Sequence, residues 1–211
     1  MFAACLPKIE RYAALLCEDA VTRGLIGPRE ASRIWERHLV NCALLGEGIP
    51  PQAEVCDLGT GAGLPGLVLA LHRPDLRVTL VEPLLRRVGF LSEACARLAV
   101  PNVEVVRARA EELHGERDFD VVTARAVAPL GRLAGWSMPL VRPGGALLAM
   151  KGAHAEQEVA EARPRLRRMH AGEVRVATYG TGVIQPPTTV VRVEAGPSGR
   201  LRWSSSGWSA S

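Results

Sequence analysis

Apolar side chains near the start of the chain recur at every third or fourth position, from Leu6 to about Thr22. This spacing is typical of a helix with one apolar face. Glycine and proline between residues 24 and 28 interrupt it, and a second helical pattern runs from Arg29 to Leu45. A turn-rich block, Gly46–Gln52, follows. We therefore predict a helical extension over residues 1–52 that ends in a linker.

From Ala53 onward, short apolar runs alternate with segments of helical periodicity. The predicted strands are Ala53–Asp57, Arg77–Glu82, Val103–Arg107, Phe119–Thr123 and Ala146–Met150. The predicted helices are Pro65–His72, Leu84–Leu98, Leu130–Leu140 and Ala155–His170. Strands that alternate with helices form parallel βαβ units, with helices on both faces of one sheet. The predicted fold class is therefore α/β, with a doubly wound, Rossmann-like sheet.

The pattern of apolar and polar residues changes again near the end of the sequence. Two β-rich runs, Gly172–Tyr179 and Thr188–Glu194, are joined by a turn-rich loop, which predicts a C-terminal antiparallel hairpin at the sheet edge. The predicted main domain thus covers residues 53–195. The remaining residues, 196–211, contain six serines, three glycines and no acid, so we predict a disordered tail.

The strongest local motif is a glycine-rich loop between the first strand and the first helix of the main domain. It reads Asp57-Leu58-Gly59-Thr60-Gly61-Ala62-Gly63-Leu64-Pro65-Gly66. Glycine lets the main chain adopt positive φ and lets a ligand approach closely. Gly61-x-Gly63-x-x-Gly66 also fits the fingerprint of dinucleotide-binding proteins, so the glycines alone do not choose between nucleotide cofactors.

Two acidic residues narrow the choice of cofactor. Asp57 ends the first strand beside the loop, where a carboxylate would attract the ammonium group of S-adenosylmethionine and repel a pyrophosphate. Glu82 ends the second strand, where methyltransferases and dinucleotide enzymes alike use an acid to bind the ribose hydroxyls. The pattern favours a methyltransferase that depends on S-adenosylmethionine. A NAD-dependent oxidoreductase is the alternative from a different class.

Five stretches of the chain together resemble one known family. Besides the glycine loop, they are Trp35-Glu36-Arg37-His38-Leu39 with Asn41, Arg109–Glu112, Thr123–Ala126 and Met150-Lys151-Gly152. In order and type they resemble the motifs of the 16S ribosomal RNA guanine-N7 methyltransferases (RsmG, also called GidB), with Thr123–Ala126 slightly changed in type. The resemblance covers about residues 10–194.

The resemblance implies a class I methyltransferase sheet with an N-terminal extension. It also implies S-adenosylmethionine as donor, and guanine N7 in 16S ribosomal RNA of the small subunit as acceptor. The residues that it assigns to the methionine part of the donor are Gly59, Gly61, Gly63 and Leu64. It assigns Ala110 and Glu111 to the adenine, and it places Arg125 at the donor site near the reacting centre.

Two departures from the family pattern concern the acceptor. The segment Gly24–Ala31 contains glycine and proline where members often read Asn-Leu-Thr. Asn41 stands where many members carry Asp.

Guanine N7 carries a free lone pair at neutral pH, so its methylation needs alignment and not a general base. We expect Arg125 and Lys151 to be catalytic in this sense, because both follow parallel strands at the edge where such sheets bind ligands. Arg37 and His38 lie four and three residues before Asn41 on a predicted helix. We expect these three residues, together with Lys151, to hold the RNA; a solvated helix face is the alternative.

Composition limits the remaining function classes. The five cysteines are scattered without metal-ligand spacing, so no metal site is expected. No apolar run approaches the ~20 residues of a membrane span, and no signal peptide is predicted. We therefore expect a cytoplasmic protein without a membrane partner, acting as a monomer.

The charge of the chain is compatible with an RNA partner. The net charge is +4, and only Lys8 and Lys151 among the 26 basic residues are lysines. Arginine presents a rigid fork of donors suited to phosphate. A cluster near the end of the last helix could meet RNA phosphates or form a solvated helix end; it comprises Arg163, Arg165, Arg167 and Arg168. A methyltransferase for a small molecule or a protein is the alternative within the same class.

Overall fold

A seven-stranded sheet forms the centre of the computed structural model, which describes residues 1–196 and, in the tail, the backbone of Leu201–Ser204 and Gly207–Ala210. The strands are β1 (Glu54–Leu58), β2 (Arg77–Val81), β3 (Val103–Val106), β4 (Phe119–Arg125), β5 (Val141–Lys151), β6 (Val174–Tyr179) and β7 (Thr188–Glu194). Their order is β3-β2-β1-β4-β5-β7-β6. β1 to β5 run parallel, and β7 is antiparallel to β5 and β6.

Helices cover both faces of this sheet, as predicted. The α-helices are α1 (Leu6–Leu15), α2 (Asn41–Leu44), α3 (Gly66–His72), α4 (Leu85–Leu98), α5 (Leu130–Ser137) and α6 (Ala155–Arg168). α3 and α4 share a core with one face, and α5 and α6 share a core with the other. The winding reverses between β1 and β4, and such a switch point is where open α/β sheets bind ligands.

Alternation along each strand separates these two cores. In β1, Val55 belongs to the core under α3 and α4, whereas Cys56 belongs to the core under α5 and α6. Asp57 points to the same face as Val55, and its register partners are Leu80 on β2 and Thr123 on β4. A carboxylate thus lies in line with apolar residues at the end of a buried strand.

The N-terminal extension packs on the same face as α3 and α4. α1 continues in a π-helical turn, Leu16–Ala20. Ile9, Tyr12 and Leu16 are fully buried and belong to the core that α3, α4 and the sheet share. The extension and the sheet are therefore stabilised by one apolar interior.

Residues 28–48 form short helical pieces of different pitch, where one regular helix was predicted. The pieces are a 3₁₀ turn (Pro28–Arg33), a π turn (Ile34–Val40), α2, and a 3₁₀ turn (Leu45–Gly48). In a π turn, hydrogen bonds join residues five apart. Ile34 and Leu39, which have this spacing, are both buried. The 3.6-residue period assumed for this segment therefore misses which side chains turn inward.

The predicted C-terminal hairpin is confirmed by β6 and β7. In the tail, β8 (Leu201–Ser204) and β9 (Gly207–Ala210) pair antiparallel. The rest of the tail lies outside the described residues, and its predicted disorder stays a prediction. Within the described ranges, no helix combines the length and the apolar character needed to cross a membrane.

The shared core predicts that the extension stabilises the whole domain. Ile9 is 0 % exposed, and we expect Ile9→Ala to lower the free energy of unfolding by about 2–5 kcal/mol. Leu6→Ala on the same helix is the matched control, since Leu6 is 41 % exposed, and it should cost less than about 1 kcal/mol. Urea unfolding measures both values, and equal losses would contradict a shared core.

Candidate active site

The glycine-rich loop lies at the switch point, between the end of β1 and the start of α3. Backbone N–H groups of Gly59 and Thr60 donate to the carbonyl of Val81 at 2.9 and 3.2 Å, which ties the loop to β2. Gly59, Gly61 and Gly63 have φ values of 67°, 62° and 99°. These are the positive values that glycine adopts without strain.

The Asp57 carboxylate is fully buried beneath this loop. Its Oδ2 accepts hydrogen bonds from Thr60 Oγ1 at 2.5 Å and from the Gly66 N–H at 2.7 Å. Its Oδ1 is buried without a hydrogen-bond partner in the described part of the chain. Burial raises the pKa of Asp57 to about 6, although both hydrogen bonds and the charge of Arg125 lower it. Burying an anion without a partner is costly, so a cationic group placed against this oxygen would stabilise it.

A second carboxylate, Glu82, joins the loop to the end of β2. It is 1 % exposed, and its Oε2 accepts from the Gly61 N–H at 3.1 Å while its Oε1 accepts from the Leu84 N–H at 3.1 Å. A Cβ added at Gly61 would meet no atom within 4 Å. Open space therefore adjoins the backbone at the point where the two acids flank the loop.

These features fit a nucleoside that carries a positive charge. The open side of Gly61 admits a ligand, and Glu82 lies where it could accept from ribose hydroxyls. The unpartnered oxygen of Asp57 would meet an ammonium group, and the same charge would repel a pyrophosphate. Within the described residues, no cluster of His, Cys, Asp and Glu side chains could hold a metal ion.

Arg125 ends β4 on the same face as Asp57, and side chains of the extension hold it. Its Nη2 lies 2.8 Å from Nδ1 of His38, and its Nη1 lies 3.3 Å from Sγ of Cys42. On the other side of the imidazole, Nε2 lies 2.7 Å from Oε2 of Glu30. Burial and the charge of Arg125 lower the pKa of His38, against the opposing effect of Glu30.

The side chain of Lys151, at the end of β5, is held by two contacts within the protein. Its Nζ donates to the carbonyl of Ala128 at 2.8 Å and to Oε2 of Glu158 at 2.7 Å. The same Glu158 oxygen accepts from the Leu130 N–H at the start of α5. Lys151 thus fixes the segment that follows β4. That segment packs on the glycine loop, since a Cβ added at Gly59 would lie 3.0 Å from Val127.

The three residues expected to hold RNA on the second helical stretch do not form one surface. Arg37 is exposed, and its Nε lies 3.4 Å from Glu30. His38 is buried. Asn41 points to the hairpin, where its Oδ1 accepts from Thr188 Oγ1 at 2.7 Å. The three side chains point in different directions because residues 34–40 form a π turn, whereas the prediction of one shared face assumed a regular α-helix.

The remaining predicted positions lie in three places. Ala110 and Glu111 belong to a 3₁₀ turn, Ala110–Leu113, that follows β3; Ala110 is buried and Glu111 is exposed. The side chain of Leu64 is half-buried. The four arginines predicted near the end of α6 are all exposed.

Two site residues were missed by the sequence analysis. Tyr12 Oη donates to the carbonyl of Ala62 at 2.7 Å, so α1 supports the glycine loop directly. The signal available was a hydroxyl-bearing side chain within the apolar stripe of the first helix. Glu30, the partner of His38, lies in the segment that departs from the family pattern and carried no signal.

The chain matches known proteins along most of its length. The model of the family described as rRNA small subunit methyltransferase G (GidB) matches residues 5–183. The ribosomal RNA small subunit methyltransferase G of Nocardioides sp. is 58 % identical over 194 residues, which cover 92 % of this chain and 78 % of that protein. The protein of the same name from Thermobifida fusca is 57 % identical, covering 92 % and 81 %. These matches confirm the resemblance stated from the motifs.

Solved structures share the fold. A methyltransferase from Pyrococcus furiosus superposes with a TM-score of 0.58 at 15 % identity, covering 75 % of this chain and 83 % of that chain. An rRNA methylase from Streptococcus thermophilus gives a TM-score of 0.52 at 18 % identity, covering 74 % and 95 %. At these identities the likeness concerns the fold alone, and it confirms the predicted methyltransferase sheet.

The loop geometry predicts that its glycines differ in how well they tolerate alanine. Both Gly61→Ala and Gly63→Ala place a side chain at positive φ, at a cost of about 1–2 kcal/mol. A Cβ at Gly63 would also lie 2.7 Å from Tyr12 Oη, which should cost about 1–3 kcal/mol more. We therefore expect Gly63→Ala to lower the melting temperature further than Gly61→Ala in thermal unfolding. The reverse order would show that the loop does not rest on Tyr12.

Proposed function

The chain belongs to the rRNA small subunit methyltransferase G family, and we propose that it methylates N7 of a guanine in 16S ribosomal RNA of the small subunit, with S-adenosylmethionine as donor. The observation that carries the proposal is the buried Asp57 carboxylate, whose Oδ1 finds no partner among the described residues. An anion beside an open glycine loop suits the cationic end of this donor. The protein would act as a monomer in the cytoplasm, where small subunits are assembled.

On the donor side, each predicted residue has a position that suits its proposed role. Asp57 would hold the ammonium group, and Glu82 would accept hydrogen bonds from the ribose. Ala110 and Glu111, which follow β3, would flank the adenine. The residues that would line the methionine part are Gly59, Gly61, Gly63 and Leu64.

The chemistry asks the protein for alignment. Bound S-adenosylmethionine supplies a methyl group on a positively charged sulfur. Guanine N7 already carries a lone pair at neutral pH, so no residue has to remove a proton from it. Positioning of the two reactants is worth about 7–11 kcal/mol in favourable cases. We assign the positioning of the reactants to Arg125. It ends β4 at the switch point, and it is close enough to Asp57 for its charge to lower the pKa of that carboxyl group.

On the acceptor side, the structure supports different parts for the four residues proposed. Arg37 is 51 % exposed and so available to a phosphate. Lys151 would shape the segment after β4 at the edge of the RNA site through its bonds to Ala128 and Glu158. His38 and Asn41 would act from within the protein, since each is engaged by other side chains.

Methyl transfer to ribosomal subunits tests the proposal directly. The protein is incubated with labelled S-adenosylmethionine and small subunits that lack the modification, and the RNA is digested to nucleosides for mass spectrometry. We expect label in 7-methylguanosine from 16S RNA, because the site has the features of a methyl-donor pocket and the family acts on small-subunit RNA.

Small subunits that already carry the modification are the control, and they should accept no label. Label in a different nucleoside would overturn the assignment to guanine N7. Donor binding without transfer to any RNA would overturn the acceptor and favour a small molecule or a protein. Preference for NAD over S-adenosylmethionine would overturn the reaction class.

The raised pKa of Asp57 predicts how donor binding depends on pH. The carboxylate holds the ammonium group only when ionised, and burial raises its pKa to about 6. The affinity for S-adenosylmethionine should therefore fall as the pH drops below about 6, approaching a tenfold loss per pH unit. Calorimetric titration between pH 5 and 7 measures this dependence. Asp57→Asn should bind more weakly, with little change over the same range; equal slopes for the two proteins would contradict the contact.

A further inference from the structure

Three side chains from separate elements form a row of hydrogen bonds that ends at Arg125. Glu30 comes from the 3₁₀ turn Pro28–Arg33, His38 from the π turn Ile34–Val40, and Arg125 from the end of β4. The two contacts are 2.7 Å, from Glu30 Oε2 to His38 Nε2, and 2.8 Å, from His38 Nδ1 to Arg125 Nη2. The row therefore links the extension to the end of the strand that carries the proposed catalytic arginine.

The chemistry of the two neighbours fixes the protonation of the imidazole. A guanidinium group only donates hydrogen bonds, so Nδ1 of His38 must accept. The proton of the neutral ring then lies on Nε2 and is donated to Glu30. In the opposite tautomer, two donors would face each other between His38 and Arg125. Since His38 is 7 % exposed, water does not readily replace either partner.

We propose that His38 and Glu30 are positioning residues for Arg125: the carboxylate of Glu30 holds the imidazole in the tautomer that accepts from the guanidinium. The inference rests on the proposed function, in which Arg125 lies at the reacting centre. Arg125 has one further contact here, to the weak acceptor Cys42 Sγ at 3.3 Å. His38 is thus the strong acceptor that sets the orientation of the planar group.

The same row of hydrogen bonds involves the segment Gly24–Ala31, which differs from the family pattern and contains Glu30. Glu30 reaches the buried His38 and the exposed Arg37 through the same oxygen, at 2.7 and 3.4 Å. One carboxylate thereby couples the solvent-facing side of the extension to the donor site. A movement of the turn that carries Glu30 would therefore change the position of Arg125, because only the His38 imidazole lies between them.

Substituting His38 by asparagine or by glutamine, which carry the same amide on side chains of different length, distinguishes a positioning role of His38 from a role in packing alone. In His38→Asn, the amide oxygen takes the place of Nδ1 and can accept from Arg125, while the link to Glu30 is lost. In His38→Gln, the amide takes the place of Nε2, so the link to Glu30 remains and the acceptor for Arg125 is lost. Both variants lose the ring, so a role in packing alone predicts equal loss of activity.

The experiment measures kcat and KM for methyl transfer to unmodified small subunits, below the melting temperature of every variant. We expect His38→Asn to stay within about threefold of the wild-type kcat, and His38→Gln and Glu30→Ala to lose about 10–100-fold with little change in KM for S-adenosylmethionine. Glu30→Gln keeps an acceptor for Nε2–H and should recover most of the loss seen with Glu30→Ala. Glu36→Gln, at an exposed acid in the same π turn as His38, is the matched control and should behave as wild type.

A spectroscopic readout tests the contact without any activity. A two-bond ¹H–¹⁵N correlation spectrum at pH 7.5 should show His38 as a neutral ring protonated on Nε2. Protonation on Nδ1 or on both nitrogens would overturn the inference, and so would equal kcat values for His38→Asn and His38→Gln. If the wild-type protein transfers no methyl group, the proposed function fails, and the spectrum still decides the tautomer.

Discussion

A carboxylate in an apolar interior must be held by donors within its reach, since removing an ion from water costs several kcal/mol when it is left unpartnered. Asp57 meets this demand on one oxygen, through Thr60 and the backbone of Gly66. The demand shapes the loop, because a Cβ at Gly66 would lie 2.7 Å from the same oxygen. The course of the chain from β1 into α3 is therefore set by the acid around which it turns. The other oxygen has no hydrogen-bond partner among the described residues.

The extension belongs to this arrangement as fully as the sheet does. Tyr12 supports the glycine loop at Ala62, and Arg125 is held from the extension by His38 and Cys42. In each case a residue outside the parallel sheet fixes a group at its carboxyl edge. The proposed donor site is therefore built by two parts of the chain that the sequence analysis divided at residue 52. Both parts lie within the range that the family model matches, residues 5–183.

The strands of the main domain were predictable because they are short apolar runs buried on both faces, and its helices because each buries one face with a regular period. The positions of the glycine loop and of Asp57 between β1 and α3 were predictable for a related reason, since they follow from residues adjacent in sequence. The contacts of Lys151, Asn41 and His38 were not, because each depends on a partner brought near by the fold. Thr188, for example, is 147 residues from Asn41. The π turn was missed because its period differs from that of a regular helix.

The direct link from α1 to the loop sets an order of events during synthesis. Tyr12 leaves the ribosome 50 residues before its partner Ala62, and Asn41 leaves 147 residues before Thr188. At translation rates of about 5–20 residues per second, the second interval lasts roughly 7–30 s. Throughout it, the apolar face of the nascent extension lacks part of its final cover and is open to chaperones. The apolar face of the extension is thus most exposed while the chain is still attached to a ribosome, the particle whose small subunit this family modifies.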